Sequence, residues 1–207
     1  MKHKRTLLRP DQRRQQLLDA ATWVFARKGF RNASITDIIQ RAGVARGTFY
    51  LYFKSKDDIF RLIVETFHGQ TVALLGGMGE TPSLPAARTP RDLLAASFLQ
   101  WMRFVDANRD AATVVLREAS TLDARFDQAY TSLRRAAAAR LAARFAFLQQ
   151  RGLASSTLPP ELVGHVQLGI FDEVLNTFVL GNPKADLETL ARQLADFEWN
   201  GIRGGQA

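Results

Sequence analysis

The stretch SITDIIQRAGVARGTFYLYF, residues 34–53, decides how this chain is read. Ser34 stands three residues before Asp37, the spacing in which a hydroxyl caps a helix start and a carboxylate answers the cap from the first turn. The pattern predicts a short helix from this cap to about Ala42. Gly43 then supplies a residue that takes positive φ at low cost, so the chain turns sharply. A third helix of the chain, from Ala45 to about Leu51, follows at once. Ile38, Ile39, Ala42, Val44 and Phe49 are the apolar residues that fix the two helices at a steep angle. Two short helices about a glycine turn have the spacing of a helix-turn-helix.

Outward from this motif, the pattern stays helical. Upstream, Leu17, Leu18, Ala21, Val24 and Phe25 fall three and four apart between Asp11 and Lys28, and Gly29 ends that helix. Downstream, Asp57 and Asp58 open a fourth helix carrying Ile59, Phe60, Ile63, Val64 and Phe67. Residues 76–90 hold three Gly and three Pro and are expected to form a loop. Helical spacing resumes from Leu93 to Val105 and again around Val114, Val115 and Leu116. The alanine-rich run from Phe126 to Gln150 reads as a long helix whose small side chains allow close helix packing. Pro159 and Pro160 open the next helix, whose apolar positions occupy more than one stripe. Leu187, Leu190, Leu194 and Phe197 mark the last. The expected fold is all-α, of about nine helices and without strands. The expected division is a head over residues 11–71, with its helix-turn-helix at 34–53, and a larger helical body over 72–207.

Charge separates the two parts. Residues 1–56 carry thirteen Lys or Arg against Asp11, Asp19 and Asp37, a net of +10, whereas the whole chain is +8, so the remainder sums to −2. A basic end on a nearly neutral body points to a polyanionic partner. Within the motif, Arg46 and Tyr50 are four apart with Gly47 on the same side of the helix. Glycine inside a helix costs about 0.8 to 1.0 kcal/mol relative to alanine. Close approach to a DNA strand gives a reason for it; the competing reason is a neighbouring core side chain that needs the room. Arg46 can fork onto a guanine or grip a phosphate, and Thr48 can meet a base edge or thymine methyl. Tyr50 and Tyr52 are suited to phosphates, with Lys54 and Lys56 as a basic rim. The full DNA-facing set is Ser34, Thr36, Arg46, Gly47, Thr48, Tyr50, Tyr52, Lys54 and Lys56. The basic arm before Asp11 either follows the DNA backbone or is a mobile tail.

The extended stretch FARKGFRNASITDIIQRAGVARGTFYLYFKSKDDIF closely resembles the N-terminal domain of the TetR family of bacterial transcriptional regulators. The Gly29-Phe30 turn, Thr36-Asp37-Ile38, Ala42-Gly43-Val44, Gly47-Thr48-Phe49-Tyr50 and the run from Tyr52 to Lys56 all sit where that pattern has them. The likeness is specific over about residues 11–71 and architectural beyond. It implies a homodimer on a palindromic operator, usually a repressor, released when a small molecule enters the body. It also implies that the last two helices pair with their copies. Residues suited to that interface are Val166, Ile170, Val174, Phe178, Leu190, Leu194 and Phe197. Those suited to lining an effector cavity are Phe98, Trp101, Met102, Phe104, Phe126 and Tyr130. Coupling is expected through the fourth helix, whose shift would take the two heads out of register with successive major grooves.

Other function classes fare worse. No cysteine is present, which removes disulfides, thiolate nucleophiles and cysteine-held metal centres. There is no G-x-S-x-G elbow, H-E-x-x-H, P-loop or dinucleotide fingerprint, so neither enzymatic activity nor a cofactor is expected. No signal-peptide core or membrane-length apolar run is seen, and a soluble, cytoplasmic protein is expected. The nearest competing function is non-specific or architectural DNA binding, since charge alone gives affinity.

Overall fold

The computed structural model describes residues 9–77, 89–118 and 124–202. Among these residues nine helices and no strands are found. The helices are α1 (Pro10–Lys28), α2 (Ile35–Ala42), α3 (Arg46–Tyr50), α4 (Lys56–Gly77), α5 (Pro90–Ala107), α6 (Arg109–Thr113), α7 (Ala124–Gln150), α8 (Pro160–Val174) and α9 (Leu187–Ile202). Two of them continue as π-helical turns, α6 through Val114–Glu118 and α8 through Leu175–Leu180.

Local chemistry sets the first boundaries. Ser34 Oγ accepts from the Asp37 amide at 3.1 Å, and Asp37 Oδ2 accepts from the Ser34 amide at 2.9 Å, the reciprocal cap expected from their spacing. Gly43 closes α2 with φ 65°. The same device appears at Thr89, whose Oγ1 accepts from the Asp92 amide at 3.2 Å while Asp92 Oδ2 accepts from the Thr89 amide at 2.9 Å. Pro90 is therefore the first residue of α5 rather than the end of a loop, proline being tolerated where a helix needs no amide hydrogen. Of the loop expected at 76–90, residues 78–88 lie outside the described residues, as does the arm up to Leu8.

One contiguous apolar core links head and body. Leu17, Phe25, Ile38, Phe49 and Phe60 are fully buried in the head, and Phe98, Met102, Val105 and Leu175 continue the same cluster into the body. α4 is unbroken from Lys56 to Gly77, so it belongs to both parts. The alanine-rich α7 packs against α8 so closely that a Cβ on Gly164 would lie 2.3 Å from the Ala138 carbonyl oxygen. Any larger residue there would push the two helices apart.

Candidate nucleic-acid interface and body site

α3 is anchored by a single side chain. Phe49 is fully buried and packs against Phe53 at 5.8 Å between ring centroids, which turns Arg46, Gly47 and Tyr50 outward. A Cβ built on Gly47 meets nothing within 4 Å, and its φ is not positive. Among the described residues neither crowding nor backbone strain calls for glycine there, which speaks against the competing reason drawn from the sequence. Nothing among the described residues offsets the helix preference against glycine, an arrangement suited to the close approach of an outside surface.

The other DNA-facing candidates divide. Arg46 and Lys54 are exposed and make no ion pair among the described residues. Tyr50 is half exposed, Thr36 is exposed, and Thr48 is partly buried. Tyr52 is partly buried with its ring against the head core. The Ser34 hydroxyl is committed to the α2 cap and also donates to Asp37 Oδ2 at 2.7 Å. Lys28 donates to Asp37 at 2.5 Å, and with Ser34 it holds that carboxyl down at about 2. Lys56 has a duty its position on the rim did not foretell. Its Nζ donates to the carbonyls of Phe30 at 2.6 Å and Ala33 at 2.8 Å and lies 4.4 Å from the centre of the Phe30 ring. This ammonium clasps the α1–α2 turn to the start of α4 and is not a free phosphate clamp.

Contacts missed from the sequence tie α1 to α2 and the head to the body. The Arg27 and Arg41 guanidinium carbons lie 4.3 Å and 4.2 Å from the Trp23 ring centroid. Arg27 also donates to Asp110 on α6. Lys or Arg near an aromatic ring is common, and spacing alone did not signal this pairing across α1 and α2.

In the body, Phe98, Trp101 and Met102 are buried. Trp101 stacks on Phe171 of α8 at 5.7 Å, and Phe98 meets the same ring edge-on at 4.9 Å. Phe104 packs instead on Phe67 at 5.3 Å. The side chain of Phe126 lies outside the described residues. Tyr130 meets His68 edge-on at 5.7 Å. Its hydroxyl accepts from Arg134 at 3.4 Å, and Arg134 pairs with Asp172. Burial pushes the Asp172 carboxyl up while Arg134 pulls it down. Burial, reinforced by Arg134, lowers His68 to about 4, so its ring is neutral at pH 7. His68 Nε2, Thr71 Oγ1 and Trp101 Nε1 are buried with no hydrogen-bond partner among the described residues. Buried polar atoms are normally satisfied, and two of these, on His68 and Thr71, lie three residues apart on α4. No sequence motif singles out His68 or Thr71.

The large apolar side chains left exposed among the described residues fall in two places: Tyr50 and Leu51 at the reading helix, and Leu162, Val166, Phe178 and Phe197 on α8 and α9. Ile170, Val174 and Leu190 are half-buried beside the second group. Leu194 departs from the expected interface. It is buried in this chain's own core with Ala191 and Ala195, because that face of α9 packs on α5.

Residues 17–63 match the family described as "Bacterial regulatory proteins, tetR family". These residues form a DNA-binding head of the TetR family of transcriptional regulators. The YfiR regulator of Bacillus subtilis is 45% identical over 56 residues, a match covering 27% of this chain and 27% of YfiR, so that likeness is confined to the head. The fatty acid metabolism regulator protein of B. subtilis is 25% identical over 90% of this chain and 94% of its own. Among solved structures, the fatty acid degradation regulator FadR of Bacillus halodurans superposes with a TM-score of 0.78 at 24% identity, covering 96% of this chain and 99% of that one. B. subtilis FadR, solved with stearoyl-CoA, gives 0.76 at 25% identity, covering 91% and 99%. The TetR-family head is thus specified by sequence, while the body is shared at the level of fold. No described helix is long and apolar enough to cross a membrane.

Proposed function

We propose that this chain is a ligand-responsive transcriptional repressor that binds a palindromic operator as a homodimer and is released by an effector of the long-chain acyl thioester class. The observation that carries the DNA reading is Gly47: its penalty has no return among the described residues, and it lies beside the exposed Arg46 on α3. The exposed apolar residues of α8 and α9 support the dimer, since self-complementary burial of such a face joins two copies about a two-fold axis. Two heads related by that axis read half-sites about 34 to 36 Å apart. The effector class comes from B. subtilis FadR, which resembles this chain over nearly its whole length and was solved with stearoyl-CoA.

An effector releases DNA only if it binds the released form more tightly than the operator-bound form. The protein acts by binding rather than turnover, in the bacterial cytoplasm where its operator lies. Selection of bound sequences from a random duplex pool tests the DNA reading. A palindromic consensus is expected; binding without any consensus would favour the architectural alternative. Stearoyl-CoA titrated into the resulting complex is expected to release the duplex, and an unchanged affinity would overturn the effector assignment.

A further inference from the structure

Leu51 is the most exposed large apolar side chain among the described residues: 79% of it is open to solvent, more than any residue of the apolar face on α8 and α9. Its backbone, with φ −69° and ψ −23°, continues the turn of α3, so helical geometry places it. Successive residues of a helix stand about 100° apart. Gly47 and Leu51 lie two residues before and two after the buried Phe49, hence about 160° round the helix from it, one on either side of the pole opposite that anchor. The exposures follow this geometry: of the residues next to Phe49, Thr48 is partly buried and Tyr50 is 48% exposed. Leu51 does not fold back over the glycine, because nothing, its own side chain included, lies within 4 Å of a Cβ built on Gly47. Along its outermost line α3 thus presents a bare backbone and, one turn on, a free leucine.

A single exposed leucine is common on protein surfaces, so its placement carries the meaning here. The pole it occupies adjoins the exposed Arg46, in a head whose first 56 residues sum to +10. That charge selects a polyanion as the partner, and the leucine continues the surface already assigned to DNA. Its side chain has no donor or acceptor, and set against a phosphate it would strip water from the charge without replacing it. On the base edges of the major groove the apolar group is the thymine 5-methyl. Cytosine, the other pyrimidine, offers an amino donor there and no methyl.

Resting on the reading of α3 as the helix that enters the operator, we infer that Leu51 is a specificity-determining residue that packs on the 5-methyl group of a thymine in each half-site. Gly47, by carrying no side chain, lets the helix come near enough for that contact. Recognition is then divided between the polar contact of Arg46 and an apolar one that registers whether a methyl group is present.

The test uses the full chain and the consensus duplex obtained by selection, with binding read by fluorescence anisotropy. Replacing thymine by deoxyuridine, one position at a time, removes the methyl group and nothing else. At one thymine of each half-site the wild type is expected to lose about fourfold in affinity, the worth of one buried methyl group. Leu51→Ala is expected to bind the unmodified duplex at least about tenfold more weakly and to be indifferent to deoxyuridine at that same position. Its melting temperature should stay within about two degrees of the wild type, since the side chain it loses is open to solvent. If no thymine distinguishes the two proteins in this way, the inference fails while the operator reading stands on the consensus. In that case, equal weakening of consensus and random duplexes by Leu51→Ala gives the side chain to the sugar-phosphate backbone, and loss of association beyond the dimer gives it to a contact between copies. A selection that yields no consensus overturns the operator reading, and the inference with it.

Discussion

The Arg27 guanidinium of α1 donates to the Asp110 carboxylate of α6 at 2.9 Å while lying on the Trp23 ring that Arg41 also covers. A path of contacts thus runs from the last turn of α2, next to the reading helix, to the body. Both members of the ion pair are more than two-fifths exposed, so the bond adds little to stability, on the order of 0 to 1 kcal/mol. Asp110→Ala should leave the melting temperature nearly unchanged and reduce the effect of the effector on operator affinity severalfold. Fluorescence anisotropy on a labelled operator, with and without effector, reads this. A variant that responds like the wild type would show that the pair carries no coupling.

Gly47 sets stability against DNA binding. Alanine there meets no neighbour and should stabilise the protein by about 0.5 to 1 kcal/mol, the ordinary helix preference. With α3 as the proposed DNA-facing helix, the same methyl group should lower operator affinity at least tenfold by holding the two surfaces apart. Chemical denaturation and a binding titration on the same variant check both signs. Gain of stability with full affinity would remove Gly47 from the interface.

Lys54 and Lys56, two residues apart, should behave differently. Lys56→Met leaves the carbonyls of Phe30 and Ala33 without their cationic donor and should destabilise the head by about 1 to 3 kcal/mol. Lys54→Ala should change stability by no more than about 0.5 kcal/mol and reduce the salt dependence of DNA binding by about one unit of slope. Unfolding midpoints and binding measured across a salt series separate the two roles.

Glu198 predicts a pH effect. It is buried on α9, where its Oε2 accepts from Gln167 at 3.0 Å, and burial raises its carboxyl to about 7. The folded state therefore holds a proton that the unfolded state has lost between about pH 4.5 and 7, and stability falls as pH rises through that window. Glu198→Gln should remove the loss, worth up to about 3 kcal/mol, and raise the melting temperature at pH 8 but not at pH 4.5. His68, lowered to about 4, works in the opposite direction, losing stability as pH falls from 6.5 towards 4. The difference between variant and wild type isolates the Glu198 contribution, because His68 is common to both.

The head was legible in the sequence because its determinants are local. Ser34 and Asp37 meet within one turn, Gly43 needs only its own φ, and Phe49 is the single anchor of a five-residue helix. What was not legible depends on partners distant in the chain. Lys56 reaches back 23 to 26 residues to find its acceptors. Leu194 carries the same period as Leu190 and Phe197, yet α5 covers it and leaves Phe197 exposed. In α8, the apolar positions spread over two stripes because one set, Val163, Leu168, Phe171 and Leu175, is buried in the body while Leu162 and Val166 face outward. The π-helical turn from Leu175 to Leu180 then shifts the phase of the faces beyond it. The contacts of His68 with Tyr130, and of Tyr130 through Arg134 with Asp172, escaped notice because their members are scattered over three helices, each of them unremarkable alone.

The clasp at Lys56 makes the head a lever. By fastening the α1–α2 turn to the first residue of α4, it ensures that the motif travels with that helix instead of deforming against it. At 1.5 Å per residue the 22 residues of α4 span about 33 Å. A tilt of roughly 10° about its far end therefore sweeps the head through about 6 Å, about half the width of a major groove. Small adjustments in the body are thereby amplified into displacements on the scale of DNA itself.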